Sequence, residues 1–339
     1  MLILIFAVNY YADPAGLVNR RIERETAQLL NDGYNVSGVE TIDDRAMMTY
    51  YIRDRKEPVD CLVLGASRGM QVSREDTGIE ATFNAGVTGA ELRDMISIYY
   101  MYTSRFPAPE RVILTLEPWT LSENYTNKRS ITEGYYRFCE EYGLDPIKTS
   151  SIQTQVEKTY ELFTIRYFQQ SINPIFSGNL DIRRHVQATE RIQGDEDIRH
   201  EDGSYAYSIR YSTKSDVEKA TILGDMEKKV PDMIRDYQFS GTLKEQLGVF
   251  VRMLAGQGVK VTFFIPPMLP DYYSYLAANG KKDMFEDTMS AYMDIAEENG
   301  IDIIGGYYDS DTTSRDFYEV LHPTNEYVMN LFGEYRENQ

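Results

Sequence analysis

The chain has 339 residues, 42% hydrophobic and 26% charged, which suits a folded protein with one elaborated domain or two ordinary ones and excludes a disordered chain. Its 53 acidic and 35 basic side chains give a formal net charge of -18, so the average surface repels a phosphate backbone and no nucleic-acid partner is expected. Two cysteines, Cys61 and Cys139, exclude a disulfide framework, and together with three histidines they do not fall at the spacings of a structural zinc site.

The chain opens on "MLILIFAV", eight consecutive apolar residues followed by "NYYADP". Eight residues are too few for a bilayer, which needs about 20, and no basic stretch or small-residue cleavage site marks a signal peptide. Two readings of residues 1–13 stand: the end of a membrane anchor with Tyr10 and Tyr11 at the interface, or a first buried strand. After Pro14, Leu17, Ile22, Ala27 and Leu30 fall at helical spacing and predict a helix ending near Gly33. A short strand or helix is expected next. In "VDCLVLGASRGMQV" at 59–72, the run "VDCLVLGAS" reads as a central parallel strand buried on both faces, with Cys61 as a reduced thiol inside it. "IEATFNAGV" predicts a strand and turn, and "GAELRDMISIYYMYTSR" a helix starting near Gly89. Further strands are expected at 111–119, 259–269 and 301–308, with helices at 243–256 and 283–299. Strands alternating with helices predict an α/β fold with a parallel sheet covered on both faces, a single domain over 14–339. The polar, tyrosine-rich stretch from about 120 to 240 reads as a largely helical insertion, with a hairpin near Asp202-Gly203. There is no internal repeat.

Ser67 ends the first central strand, and open α/β sheets bind their ligands in the crevice outside the strand ends. A serine nucleophile needs a base. His185 and His200 lie in charged stretches and read as solvated imidazoles. His322, in "YEVLHPTNEY", has Glu319 three residues upstream, a spacing at which a carboxylate can accept a hydrogen bond from Nδ1–H, fixing the tautomer whose Nε2 takes the serine proton. The bland alternative is a helix start capped by Thr324. "FNAGVTGAELRD" offers Asn84, Gly86 and Gly89 on a strand-to-helix turn, where free backbone N–H groups could hold an oxyanion.

The order of these blocks, strand-G-x-S, then N-x-G-x-x-G, then E-x-x-H-P, resembles the SGNH or GDSL-type hydrolase superfamily. "GASR", "FNAGVTGA" and "LEPW", with "NYYADP" and "FFIPPMLPDYY", resemble in particular its membrane-tethered branch, which includes the D-alanyl transfer protein DltD and proteins of polysaccharide O-acylation. The resemblance implies a flavodoxin-like three-layer sandwich with Ser67 as nucleophile, His322 as base, Glu319 orienting it, and the Ser67 and Gly89 amides as oxyanion donors. It departs from the family in two places. The acid is Glu319 where the family usually has Asp, with Asp316 as a fallback, and Glu117 stands where the family's third block offers an asparagine donor. An ionised Glu117 cannot donate. Arg68 is expected either at an anionic substrate or paired with Glu117.

What the resemblance implies is a serine-dependent O-acyltransferase or esterase of the cell envelope, anchored at its N-terminus, extracytoplasmic, and needing no metal or organic cofactor. Its partners would be a cell-surface polysaccharide or teichoic-acid-like polymer and a membrane acyltransferase. Two alternatives stand beside it: a secreted carbohydrate esterase using water as acceptor, and a catalytically inert surface binding or assembly protein that keeps the fold.

Overall fold

A computed structural model describes residues 2–12, 20–40, 42–125, 130–147, 168–169, 171–172, 185–209 and 230–337. At its centre is a five-stranded sheet of β2 (Cys61–Leu64), β3 (Thr82–Asn84), β4 (Arg111–Thr115), β8 (Lys260–Ile265) and β9 (Asp302–Gly305), in the order β3-β2-β4-β8-β9. Every pairing is parallel, in registers such as Val63↔Ile113 and Leu114↔Phe263.

The apolar strands alternate between two cores, as a period of two requires. Leu62, Leu64, Val112, Leu114, Phe263 and Ile265 face one side, where helices Leu92–Thr103, Gly241–Gly256 and Lys282–Asn299 bury Ile96, Phe250 and Tyr292. Cys61, Val63, Ile113 and Phe264 face the other, covered by Val328 and Phe332 of helix Asn325–Glu337. The expected α/β architecture with a parallel sheet covered by helices is therefore present. Both cysteines are buried and free, and burial pushes the Cys61 thiol up to about 12.

Residues Leu2–Ala12 are an α-helix, which corrects the strand alternative for this run; a short apolar stretch has no periodicity to separate the two. Ile3 and Leu4 are exposed, whereas Asn9 is buried and accepts a hydrogen bond from the Ser171 hydroxyl at 3.0 Å. Among the described residues no helix is long and apolar enough to cross a membrane. The next helices are Arg21–Asn31, ending just before Gly33 at φ +86°, and Asp44–Asp54, capped by Asp43.

Within 120–240 a little under half of the expected largely helical insertion falls outside the described residues, and those described include helix Glu133–Tyr142 and the four-residue helix Asp232–Arg235. They also include three strands that the sequence did not announce as a sheet: β5 (Gln187–Thr189), β6 (Ile198–Arg199) and β7 (Tyr205–Ala206). With β1 (Asn35–Ser37) they form a second, antiparallel sheet in the order β5-β1-β6-β7. Strands of two and three residues leave too short an alternation to read. The hairpin expected at Asp202-Gly203 does join β6 to β7, with Gly203 at φ +82°. A Cβ on Gly203 would lie 2.2 Å from the Asn84 carbonyl oxygen, and Asn84 N–H donates to the Asp202 carbonyl at 2.7 Å. The hairpin is thereby fastened to the edge strand β3 and carried over the C-terminal ends of the sheet.

Candidate active site

Ser67 lies in a tight turn after β2, closed by bonds from Gly69 N–H and Met70 N–H to the Ala66 carbonyl at 2.9 and 3.1 Å. Glycine is required on both sides of it. A Cβ on Gly65 would stand 2.4 Å from Thr115 Cβ, and one on Gly69 2.1 Å from Thr115 Oγ1, so only glycines let the turn lie against the end of β4.

The His322 end is a second built turn. Phe317 and Pro323 form an antiparallel bridge, Tyr318 N–H donates to the His322 carbonyl at 2.9 Å, and Leu269 N–H ties the Val320 carbonyl to the exit of β8 at 3.1 Å. That turn brings Glu319 against His322. Its Oε1 accepts from His322 N–H at 2.9 Å and is in hydrogen-bond contact with Nδ1. Nε2 of the same ring lies 2.8 Å from Ser67 Oγ, although the two residues are 255 positions apart. Burial works to raise the Glu319 pKa, but the bonds from the His322 ring and from the Leu321 and His322 amides outweigh it and hold the carboxyl below its ordinary value. A carboxylate on Nδ1 fixes the tautomer whose Nε2 is free to take the serine proton. Thr324 also caps the following helix, accepting from Tyr327 N–H at 3.3 Å, so the helix-start reading and the Ser67 contact coexist.

The other sequence-derived candidates divide. Asp316 is engaged elsewhere, accepting from the Thr313 amide and hydroxyl. Asn84 is a structural fastener: its amide nitrogen donates to the Gly69 and Val72 carbonyls, both at 2.8 Å, and its oxygen accepts from Gly86 N–H at 2.9 Å. The expectation of free N–H groups along this turn is corrected further by Val87 N–H, bound to the Gly65 carbonyl, and Thr88 N–H, bound to Asp44. Gly89 sits at φ +59°, and its carbonyl accepts from Arg45 and Tyr125; Thr88, not Gly89, lines the cavity at Ser67. The Ser67 and Arg68 N–H groups carry no hydrogen bond among the described residues. Those two amides are available to an oxyanion beside Ser67 Oγ.

Arg68 is buried and paired with buried Glu117, its Nε 2.8 Å from Oε2 and its Nη2 in contact with the same oxygen. The pairing, and not contact with a substrate anion, accounts for both residues. His185 is exposed; His200 is half-buried, its ring nitrogens bonded to Ser204 Oγ and the Ile192 carbonyl.

A cavity of about 460 Å³ opens on Ser67 and His322, with Met70, Thr88, Tyr205 and Tyr207 in its wall. Among the described residues four carboxylates, Glu40, Asp43, Asp44 and Asp197, also line it, against one guanidinium, that of Arg45, which is itself bound to Asp94. Tyr207 was not singled out by sequence. Its hydroxyl donates to the Ser67 carbonyl at 3.3 Å, and its ring meets His322 edge-on at 5.2 Å. Burial pushes that phenol far up, so it remains a neutral donor. The alternation of Tyr205 and Tyr207 in "SYAYS" was the available signal. A second cavity, of about 490 Å³, lies beyond the hairpin, lined by Gln71, Arg74, His200 and Asn325 and holding neither Ser67 nor His322.

No protein-family model matches this chain, and no curated protein matches it in sequence.

Proposed function

We propose that the protein is a serine acyl-transfer enzyme of the SGNH type, working through an acyl-enzyme on Ser67. The observation that carries this is the continuous contact from Ser67 Oγ to His322 Nε2 at 2.8 Å, and from His322 Nδ1 to a Glu319 held ionised. The strand order supports it as well. Counted along the chain, the five parallel strands run 2-1-3-4-5, the flavodoxin-like doubly wound order, whose switch point lies between its first and third strands. Those strands are β2 and β4, and Ser67 stands at their ends.

Ser67 Oγ attacks the carbonyl carbon of an ester as its proton passes to His322 Nε2, while Glu319 stabilises the imidazolium. The Ser67 and Arg68 amides hold the oxyanion. Collapse expels the donor's oxygen, which takes the proton from Nε2 and leaves Ser67 acylated. An acceptor hydroxyl then gives its proton to Nε2, attacks the acyl carbon and releases Ser67 Oγ, which recovers that proton. A polymer hydroxyl makes the reaction a transfer and water makes it hydrolysis. The cell-surface glycopolymer, the membrane acyltransferase partner and the extracytoplasmic setting come from the sequence resemblance; exposed Ile3 and Leu4 on the N-terminal helix fit an anchored end.

The test is a pre-steady-state assay with 4-nitrophenyl acetate. A burst of nitrophenol, with acetate recovered on the Ser67 peptide, is expected. A protein that shows its native circular dichroism but neither burst nor acetylated peptide would overturn the reading.

A further inference from the structure

Arg68 follows the nucleophile directly, yet its side chain is 1% exposed and runs beneath the C-terminal edge of the sheet. One guanidinium there meets three other segments. Nε and Nη2 bind Glu117 at the exit of β4. Nη1 donates to the carbonyls of Pro266 and Pro267 at the exit of β8, at 3.1 and 3.2 Å, and approaches that of Leu321 at 3.5 Å. Leu321 immediately precedes His322. The Trp119 ring lies 5.5 Å from the guanidinium carbon.

Glu117 is held for this contact. Its N–H donates to Thr120 Oγ1 at 3.0 Å, its carbonyl accepts from Tyr292 OH at 2.9 Å, and the side chain is fully buried. A buried ion pair is poor value for stability, because desolvating both charges offsets much of their attraction and an apolar pair of similar size often does as well. Its use lies in geometry. The fork of an arginine can bind several acceptors in fixed directions at once, which a lysine cannot.

Resting on the acyl-enzyme reading, we infer that the Arg68–Glu117 pair is a positioning device that locks the Ser67 turn to the His322 loop and so sets the distance between nucleophile and base. It touches no substrate. It acts on Ser67 through the adjoining peptide and on His322 through Leu321. Glu117, in the place where the resembling family offers an oxyanion donor, serves here as the anchor of that lock.

The experiment is fluorophosphonate labelling of the full chain at several probe concentrations, which separates probe affinity from the maximal rate of serine attack. In Arg68→Met/Glu117→Leu both charges leave together, so no lone buried charge remains. This variant should melt within a few degrees of wild type, keep probe affinity within about threefold, and lose about 30-fold in maximal rate, since misplacement by an ångström costs up to about 100-fold. A purely structural pair would move the melting temperature instead of the rate. A folded double variant that labels within about threefold of the wild-type maximal rate would overturn the inference. Should that variant not fold, Glu117→Gln keeps the shape and one acceptor. About a fivefold loss of maximal rate supports the inference, and an unchanged rate overturns it. Wild type that does not label at all would overturn the acyl-enzyme reading itself, an outcome distinct from a labelled wild type with an equally fast variant.

Discussion

Glu319→Asp installs the acid that the resembling family usually carries, and in this chain it should be harmful. The 317–323 turn is pinned at three places: the Phe317–Pro323 bridge, the Tyr318 to His322 bond at 2.9 Å, and the Leu269 to Val320 bond at 3.1 Å. The Cα of residue 319 therefore cannot advance to make up a shorter side chain. Removing one methylene withdraws the carboxylate by about 1.5 Å, which turns a direct contact with His322 Nδ1 into a separation beyond hydrogen-bond range. Without its acceptor the imidazole loses its fixed tautomer and orientation, a loss of about 100-fold in the acylation rate, or about 3 kcal/mol of transition-state stabilisation. Glu319→Gln should lose more, towards about 10⁴-fold, because an amide can donate to Nδ1 and favour the wrong tautomer. The assay is the nitrophenol burst rate at saturating ester, with melting temperature as the folding control. A Glu319→Asp variant as fast as wild type would show that the turn yields, and would refute the account of why this chain uses glutamate.

Three further outcomes follow from other contacts. Tyr207→Phe removes only the 3.3 Å bond to the Ser67 carbonyl and should lower the burst rate by about threefold to tenfold, with the melting temperature little changed; an unaltered rate would reduce Tyr207 to packing. Gly69→Ala forces a Cβ to within 2.1 Å of Thr115 Oγ1 on a central strand, and should cost on the order of 2 kcal/mol in urea unfolding together with most of the labelling at Ser67. Asp76, buried in the capping box with Ser73, is pushed up to about 6 chiefly by burial, from an ordinary 3.8. Between those values the folded protein binds a proton that the unfolded chain has released, so this group's contribution falls as pH rises from about 4 to about 6 and is flat above. Asp76→Asn should remove that slope, about 3 kcal/mol, from pH-dependent unfolding.

The central sheet was legible because β2, β4 and β8 are buried on both faces and read as unbroken apolar runs, whereas the 35–37, 187–189, 198–199 and 205–206 strands are too short to show a period. Ser67, His322 and Glu319 were legible for a local reason: one follows a buried strand, and the other two are joined by a turn whose i, i+3 spacing is itself the contact. Asn84 was misread because a polar residue beside glycines looks free in sequence, while its amide is consumed by Gly69, Val72 and Gly86. The fate of Arg68 stayed open, since a side chain next to a nucleophile can point to substrate or beneath the sheet, and only the distant Pro266, Pro267 and Leu321 carbonyls decide between them. The "SYAYS" alternation marks Tyr207 as part of an extended segment, but its reach to Ser67 through a hairpin from a different sheet is a long-range placement that the alternation does not encode.

The most direct test of the central claim is intact-mass labelling of the folded protein with a fluorophosphonate, comparing wild type with Ser67→Ala and His322→Ala. The account predicts a single adduct on wild type, mapped to Ser67 and lost in both variants. An adduct that persists in Ser67→Ala, or a folded wild type whose cavity admits the probe and stays unlabelled, would contradict it.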